Sequence, residues 1–196
     1  MKKLVLGSLI IIILVIILLF GWTNGSKFFF NTNSSAVVTE IQKLNRLETA
    51  SFTIEKVIEA GTKGNAFNDI LFGDRILLIA HGKVVAGFDF SKLKQDKIHV
   101  SGTSIDITLP PPQILSSKLD NDLTRVYDRK EGLLTKGDKD LESEARKQAE
   151  VTIIEAACNA SILDTAAENG KKQLTTLFKA LGFETIKITV PNGKCL

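Results

Sequence analysis

At 196 residues, 44% of them hydrophobic and 24% charged, the chain can build one ordinary core and is too short to demand two. The formal charge of +3 includes Lys2 and Lys3; without them 23 basic residues face 22 acidic ones. With no basic block that interleaves aromatics, the charge makes no case for a nucleic-acid partner. Two cysteines, Cys158 and Cys195, exclude a disulfide-rich scaffold.

The run Leu4 to Phe20, LVLGSLIIIILVIILLF, carries neither charge nor proline. Continued to Trp22 as a helix it measures about 28 Å, close to the roughly 30 Å hydrocarbon core of a bilayer. Lys2 and Lys3 precede it, and only Lys27 is positive in the next nineteen residues. The positive-inside rule then keeps the N-terminus in the cytoplasm and sends the rest across, which predicts a single-pass signal-anchor over residues 1–22 of a cell membrane protein. The competing reading is a cleaved secretory signal, for which Thr23 and Gly25 are the marginal small-residue pair. Both put the domain outside the cytoplasm. Residues 23–35 form a polar juxtamembrane linker, with Phe28, Phe29 and Phe30 at the interface or under the domain.

The domain is read over residues 36–190. Val37, Val38, Ile41, Leu44 and Leu47 have helical spacing; from Ala50 the alternation of Phe52 and Ile54 with Ser51 and Thr53 predicts a half-buried strand reaching Ile58. Gly61 to Asp74 is a glycine-punctuated excursion holding Phe67, Ile70, Leu71 and Phe72, which either folds back on the core or forms a lip that contacts a partner. Arg75 to Phe90 reads as a central strand or a tight hairpin, with Gly82-Lys83 as turn or bulge. Residues 98–100 and 105–109 form a hairpin about Ser101-Gly102-Thr103, ended by Pro110-Pro111-Pro112. Gln113 to Val126 is one extended segment, and Asp128 to Lys139 an exposed connection.

Helical spacing follows. Leu141, Ala145, Ala149, Ile153, Ala156 and Ala160 make one stripe, and Ser161 to Asp164 resembles a capping box that restarts the helix. Leu174, Leu177, Phe178 and Leu181 share a face, with Gly182 at the C-cap and Phe183 packing back on Phe178. Glu184 to Val190 alternates as a returning strand before the tail, residues 191–196. The pattern is α+β: one domain with a mostly antiparallel sheet, a C-terminal helical section and a final strand.

The stretches LNRLETASFTIEKVIEAG, RILLIAHGKVVAGFDFSKL, IDITLPPPQIL and LESEARKQAE through ALGFETIKITV stand in this order over roughly residues 37–190. They resemble the DUF4230 family of membrane-anchored bacterial proteins of unknown function. The resemblance implies a single anchored domain, and supplies no reaction and no catalytic residue.

No GxSxG, HExxH, Walker loop or GxGxxG occurs, so no catalytic, cofactor or metal residue is assigned. His81 and His99 read as ordinary strand histidines. Asp120, Asp122, Asp128 and Asp138 fail the EF-hand spacing and read as solvated loop charge. Cys158 and Cys195 can form one disulfide in a translocated domain. The alanine-rich ESEARKQAE resembles the coiled-coil segment of stomatin-type and prohibitin-type proteins, which sets self-association against packing on the chain's own sheet. The expectation is a non-enzymatic envelope protein that binds a protein partner or forms a homo-oligomer, with Phe67, Ile70, Leu71 and Phe72 as candidate contacts. Its rival is a hydrolase-like enzyme using His81 and Asp89.

Overall fold

The structure, a computed structural model, describes residues 39, 41–61, 73–134 and 136–195. The anchor reading on Leu4 to Phe20, the Phe28 to Phe30 cluster and the candidate contacts Phe67, Ile70, Leu71 and Phe72 lie outside the described residues. Among the described residues no helix is long and apolar enough to cross a membrane.

A helical turn at residues 41–43 ends at Asn45, whose φ of +50° is a left-handed conformation that asparagine tolerates. The chain therefore reverses sooner than the helical spacing to Leu47 predicts, and Leu47 falls in strand β1, Arg46–Gly61. Asn45 also fixes this corner, because its carbonyl accepts the Phe90 N–H at 2.7 Å.

Strand β2, Asp74–Asp89, pairs antiparallel with β1 along its whole length. Gly82-Lys83 is neither turn nor bulge. A Cβ at Gly82 would stand 2.7 Å from Ile153 Cδ1, so the missing side chain admits a helix rather than a bend. After two 3-10 turns, Phe90–Lys92 and Gln95–Lys97, come β3, Ile98–Ser101, and β4, Ser104–Thr108, which form the expected hairpin.

The second edge of β2 is taken by β5, Gln113–Leu119, and then by β6, Arg125–Glu131, both antiparallel to it. The single extended segment expected from Gln113 to Val126 is thus one edge interrupted at residues 120–124, and the supposed connection from Asp128 is partly strand. Asp120 causes the interruption: its Oδ1 accepts the N–H groups of Asp122 and Leu123, closing a tight loop, while Thr124 returns the chain to His81.

Helices α1, Leu141–Asn159, and α2, Ile162–Ala180, cover one face of this four-stranded sheet. Leu141, Ala145, Ala149, Ile153 and Ala157 of α1 meet Ile58, Ile76, Leu78, Ala80 and Val84 of the strands. The buried stripe keeps a strict four-residue step, so Ala157 is inside, where the spacing had suggested Ala156 and Ala160. Ser161 does not cap α2 with its side chain; at φ +59° it turns the chain between the helices, so the capping-box reading fails. At the other end, the N–H groups of Gly182 and Phe183 donate to the carbonyls of Lys179 and Phe178, the Schellman arrangement expected, with the Phe178 and Phe183 rings edge to face at 6.0 Å.

Strand β7, Thr185–Thr189, joins β4 in parallel, so the expected single sheet is two: β1, β2, β5 and β6 in one, β3, β4 and β7 in the other. Parallel pairing follows from the long return through β5, β6 and both helices. Helix α2 serves both sheets, with Leu163 and Ala166 in the first core and Leu174 and Phe178 in the second.

Beyond β7 the tail lies against Pro112 and Leu163, and Cys195 is disulfide-bonded to Cys158 of α1 with the Cα atoms 6.0 Å apart. Closing a loop of this length costs the unfolded chain about 4 kcal/mol of entropy. Freed, the short tail gains mobility in the folded state as well, so Cys158→Ser is expected to lose only about 2 kcal/mol, read by chemical denaturation. The same variant should run on a non-reducing gel where reduced wild type runs; equal mobility of oxidised and reduced wild type would refute the bond.

Candidate interaction surface

Strand β1 is a sheet edge. At its start Thr49 bulges out of register, its hydroxyl donates to the Ala166 carbonyl at 2.8 Å and its own carbonyl accepts from Asn169 Nδ2 at 2.9 Å, so α2 closes the edge there. From Ser51 to Gly61, among the described residues, no strand pairs with the outer side of β1. Over these eleven residues, roughly 33 Å, every second residue turns its N–H and C=O away from β2, where no strand among the described residues meets them.

Helix α1 runs beside this edge in the opposite direction, and a groove follows the seam. At one end Phe52 and Ile54 face the small Ala156 and Ala160. In the middle Lys56 faces Thr152, Glu155 and Asn159. At the far end Glu59, Ala60 and Gly61 face Glu144, Gln148 and Asp138. Ala156 and Ala160, displaced from the core by the four-residue step of α1, therefore floor the groove.

Lys56 breaks the apolar alternation of β1. Ala50, Phe52, Ile54, Ile58 and Ala60 point at the helices, and Lys56 occupies the same face by register. A charge in the middle of a core-facing alternation is a mark of an edge strand. Neither Lys56 nor Glu155 forms an ion pair among the described residues.

The residues singled out for chemistry are dispersed. His81 Nε2 meets Glu55 Oε2 at 3.1 Å on the sheet face opposite α1 and α2, and its backbone N–H and C=O are both engaged by Thr124. Asp89 is eight residues along the same strand, roughly 26 Å away. Its carboxylate accepts from the hydroxyl and N–H of Ser91, which, with the hydroxyl bond as the larger cause, holds it below the usual aspartate range. His99 is exposed and lies opposite Asp106, which pairs with Lys187 at 2.7 Å. Asp120 closes its loop, Asp128 lies on β6, and Asp138 donates its backbone N–H to Asp74. Among the described residues no three histidine, cysteine or acidic side chains gather as metal ligands.

The chain belongs to DUF4230, a family of proteins of unknown function, whose model matches residues 39–188. No significant match was found among curated proteins or among solved structures. The matched span takes in β1 and both helices, and so every wall of the groove.

Proposed function

We propose that this DUF4230 protein is a single-pass membrane protein whose domain stands outside the cytoplasm and acts, without catalysis, as a protein-binding or self-assembling module. The observation that carries this reading is the open β1 edge alongside α1, because an exposed edge flanked by a helix is a surface to which an extended strand adds through main-chain hydrogen bonds. The uncharged run Leu4 to Phe20 behind Lys2 and Lys3 supports anchorage and orientation. The Cys158–Cys195 bond supports an oxidising compartment.

A photoreactive amino acid at Thr53, on the free edge, tests the reading in intact cells carrying the full chain. Covalent protein adducts should form there in excess over the same group at Lys97, an exposed position on a 3-10 turn away from the groove. Equal yields at both positions would end the proposal.

A further inference from the structure

The groove holds one lysine and one glutamate at the same level, both exposed and both without an ion partner among the described residues. Lys56 on the core-facing side of an edge strand guards against indiscriminate pairing, since any strand that adds there must answer a positive charge. Glu155 imposes the opposite demand from the helix wall. A strand that brings its own helix, with the same two residues in the same relation, answers both at once.

We infer that the occupant of the groove is a second copy of this chain, whose β1 pairs antiparallel with β1 about a two-fold axis near Lys56 and whose α1 lies beside α1. This rests on the proposed interaction role of the edge and names the partner at that same surface. Lys56 of each copy then meets Glu155 of the other, so four alternating charges surround the axis. Isologous contacts of this kind are self-complementary by symmetry.

The spacing of the layers agrees. Helix α1 packs on β1 and β2 alike, so its axis lies over the gap between them. With strands about 4.8 Å apart, two such helices across a β1–β1 junction stand roughly 10 Å from one another, within the range of packed helices. Thr152 and Ala156, small residues on the facing side, leave room for that approach. The result is a continuous eight-stranded sheet with four helices on one face, and no free β1 edge.

The test is charge exchange on the full chain in membranes, with two differently tagged copies and co-purification as readout. Wild-type copies should co-purify. Lys56→Glu alone and Glu155→Lys alone should each reduce self co-purification at least tenfold, since every cross-pair becomes like-charged. Co-expression of the Lys56→Glu chain with the Glu155→Lys chain should restore it, because each mixed cross-pair is again opposite in sign. Both residues are exposed and without an ion partner among the described residues, so each variant should keep the wild-type far-UV circular dichroism and a cooperative unfolding transition, which excludes misfolding as the cause. Wild-type copies that fail to co-purify, or a mixed pair no better than the single variants, would overturn the inference. If the Thr53 crosslink meanwhile captures only a different protein, the interaction role of the edge stands and the second copy is wrong; absence of any Thr53 adduct removes both.

Discussion

Phe88→Ala is expected to destabilise the domain by about 4 kcal/mol, the range for deleting a fully buried aromatic, and to lower its melting temperature by roughly 10 °C. Phe88 is entirely buried and stacks on Phe90 with ring centres 6.0 Å apart. It lies on β2, yet it belongs to the core of the second sheet, and its ring presses on Gly170 of α2, where a Cβ would overlap it. The contact is the joint at which one helix leaves the first sheet and reaches the second. Gly170→Ala should therefore destabilise by about 1 kcal/mol or more, despite the roughly 1 kcal/mol that alanine gains over glycine in a helix, because overpacking is the larger effect. Phe88→Leu combined with Gly170→Ala should cost less than the sum of the two by more than about 0.5 kcal/mol, since the smaller side chain vacates the space that the methyl enters. Denaturant midpoints for the four proteins provide the cycle, and strict additivity would show that the two positions do not share that space.

The second large effect is expected at Asp74, which is 3% exposed. Its carboxylate accepts from Arg129 Nη2 at 2.6 Å and Nε at 3.2 Å, and from the Asp138 backbone N–H at 2.6 Å. Arg129 Nη2 also donates to the Asp138 carbonyl at 2.6 Å. The group thus clamps the chain between β6 and α1 onto the start of β2 and sets where α1 begins. Asp74→Ala removes the acceptor of two guanidinium hydrogen bonds and of a backbone N–H and should cost about 3 kcal/mol, at the low end for a broken buried pair because Arg129 is 30% exposed and keeps Glu131 and the Asp138 carbonyl as partners. The Arg129 hydrogen bond is the largest influence on Asp74 and holds its pKa below the ordinary aspartate value, against the opposing effect of burial and with further help from the Asp138 N–H. The stabilisation is therefore complete above the ordinary aspartate pKa and is lost as pH falls through the lower folded value. Wild type should lose more stability on acidification than Asp74→Ala, in which only other groups with lowered pKa such as Asp89 contribute, and the gap between the two curves of unfolding free energy against pH should close toward the acid end. Parallel curves would mean that Asp74 does not titrate with folding.

The interaction surface shows how far pattern reading reaches. The alternation through Phe52 and Ile54 identifies β1 and its buried face, and the lysine at position 56 carries the mark of an edge. The helical spacing identifies α1 and its alanines, but Ala156 and Ala157 are adjacent and equally small, so composition cannot say which one the sheet covers. The strict four-residue step, set by how α1 crosses the strands, buries Ala157 and leaves Ala156 to the groove. Gly82 is a similar case: glycine in an apolar strand signals a turn, a bulge or a close approach, and only the position of Ile153 selects the last.

The features legible from the residues alone are local: the apolar run behind two lysines, the α+β order of elements, the β3–β4 hairpin, the Schellman end of α2 and the returning strand. Each rests on a period or a cap that a few neighbouring residues define. Long-range packing sets the rest: the strands form two sheets, β7 joins β4 in parallel, His81 and Asp89 lie far apart, and among the described residues no strand takes the outer side of β1 beside Lys56 and Glu155. These depend on which distant segments occupy each edge and face, and no local period encodes that choice.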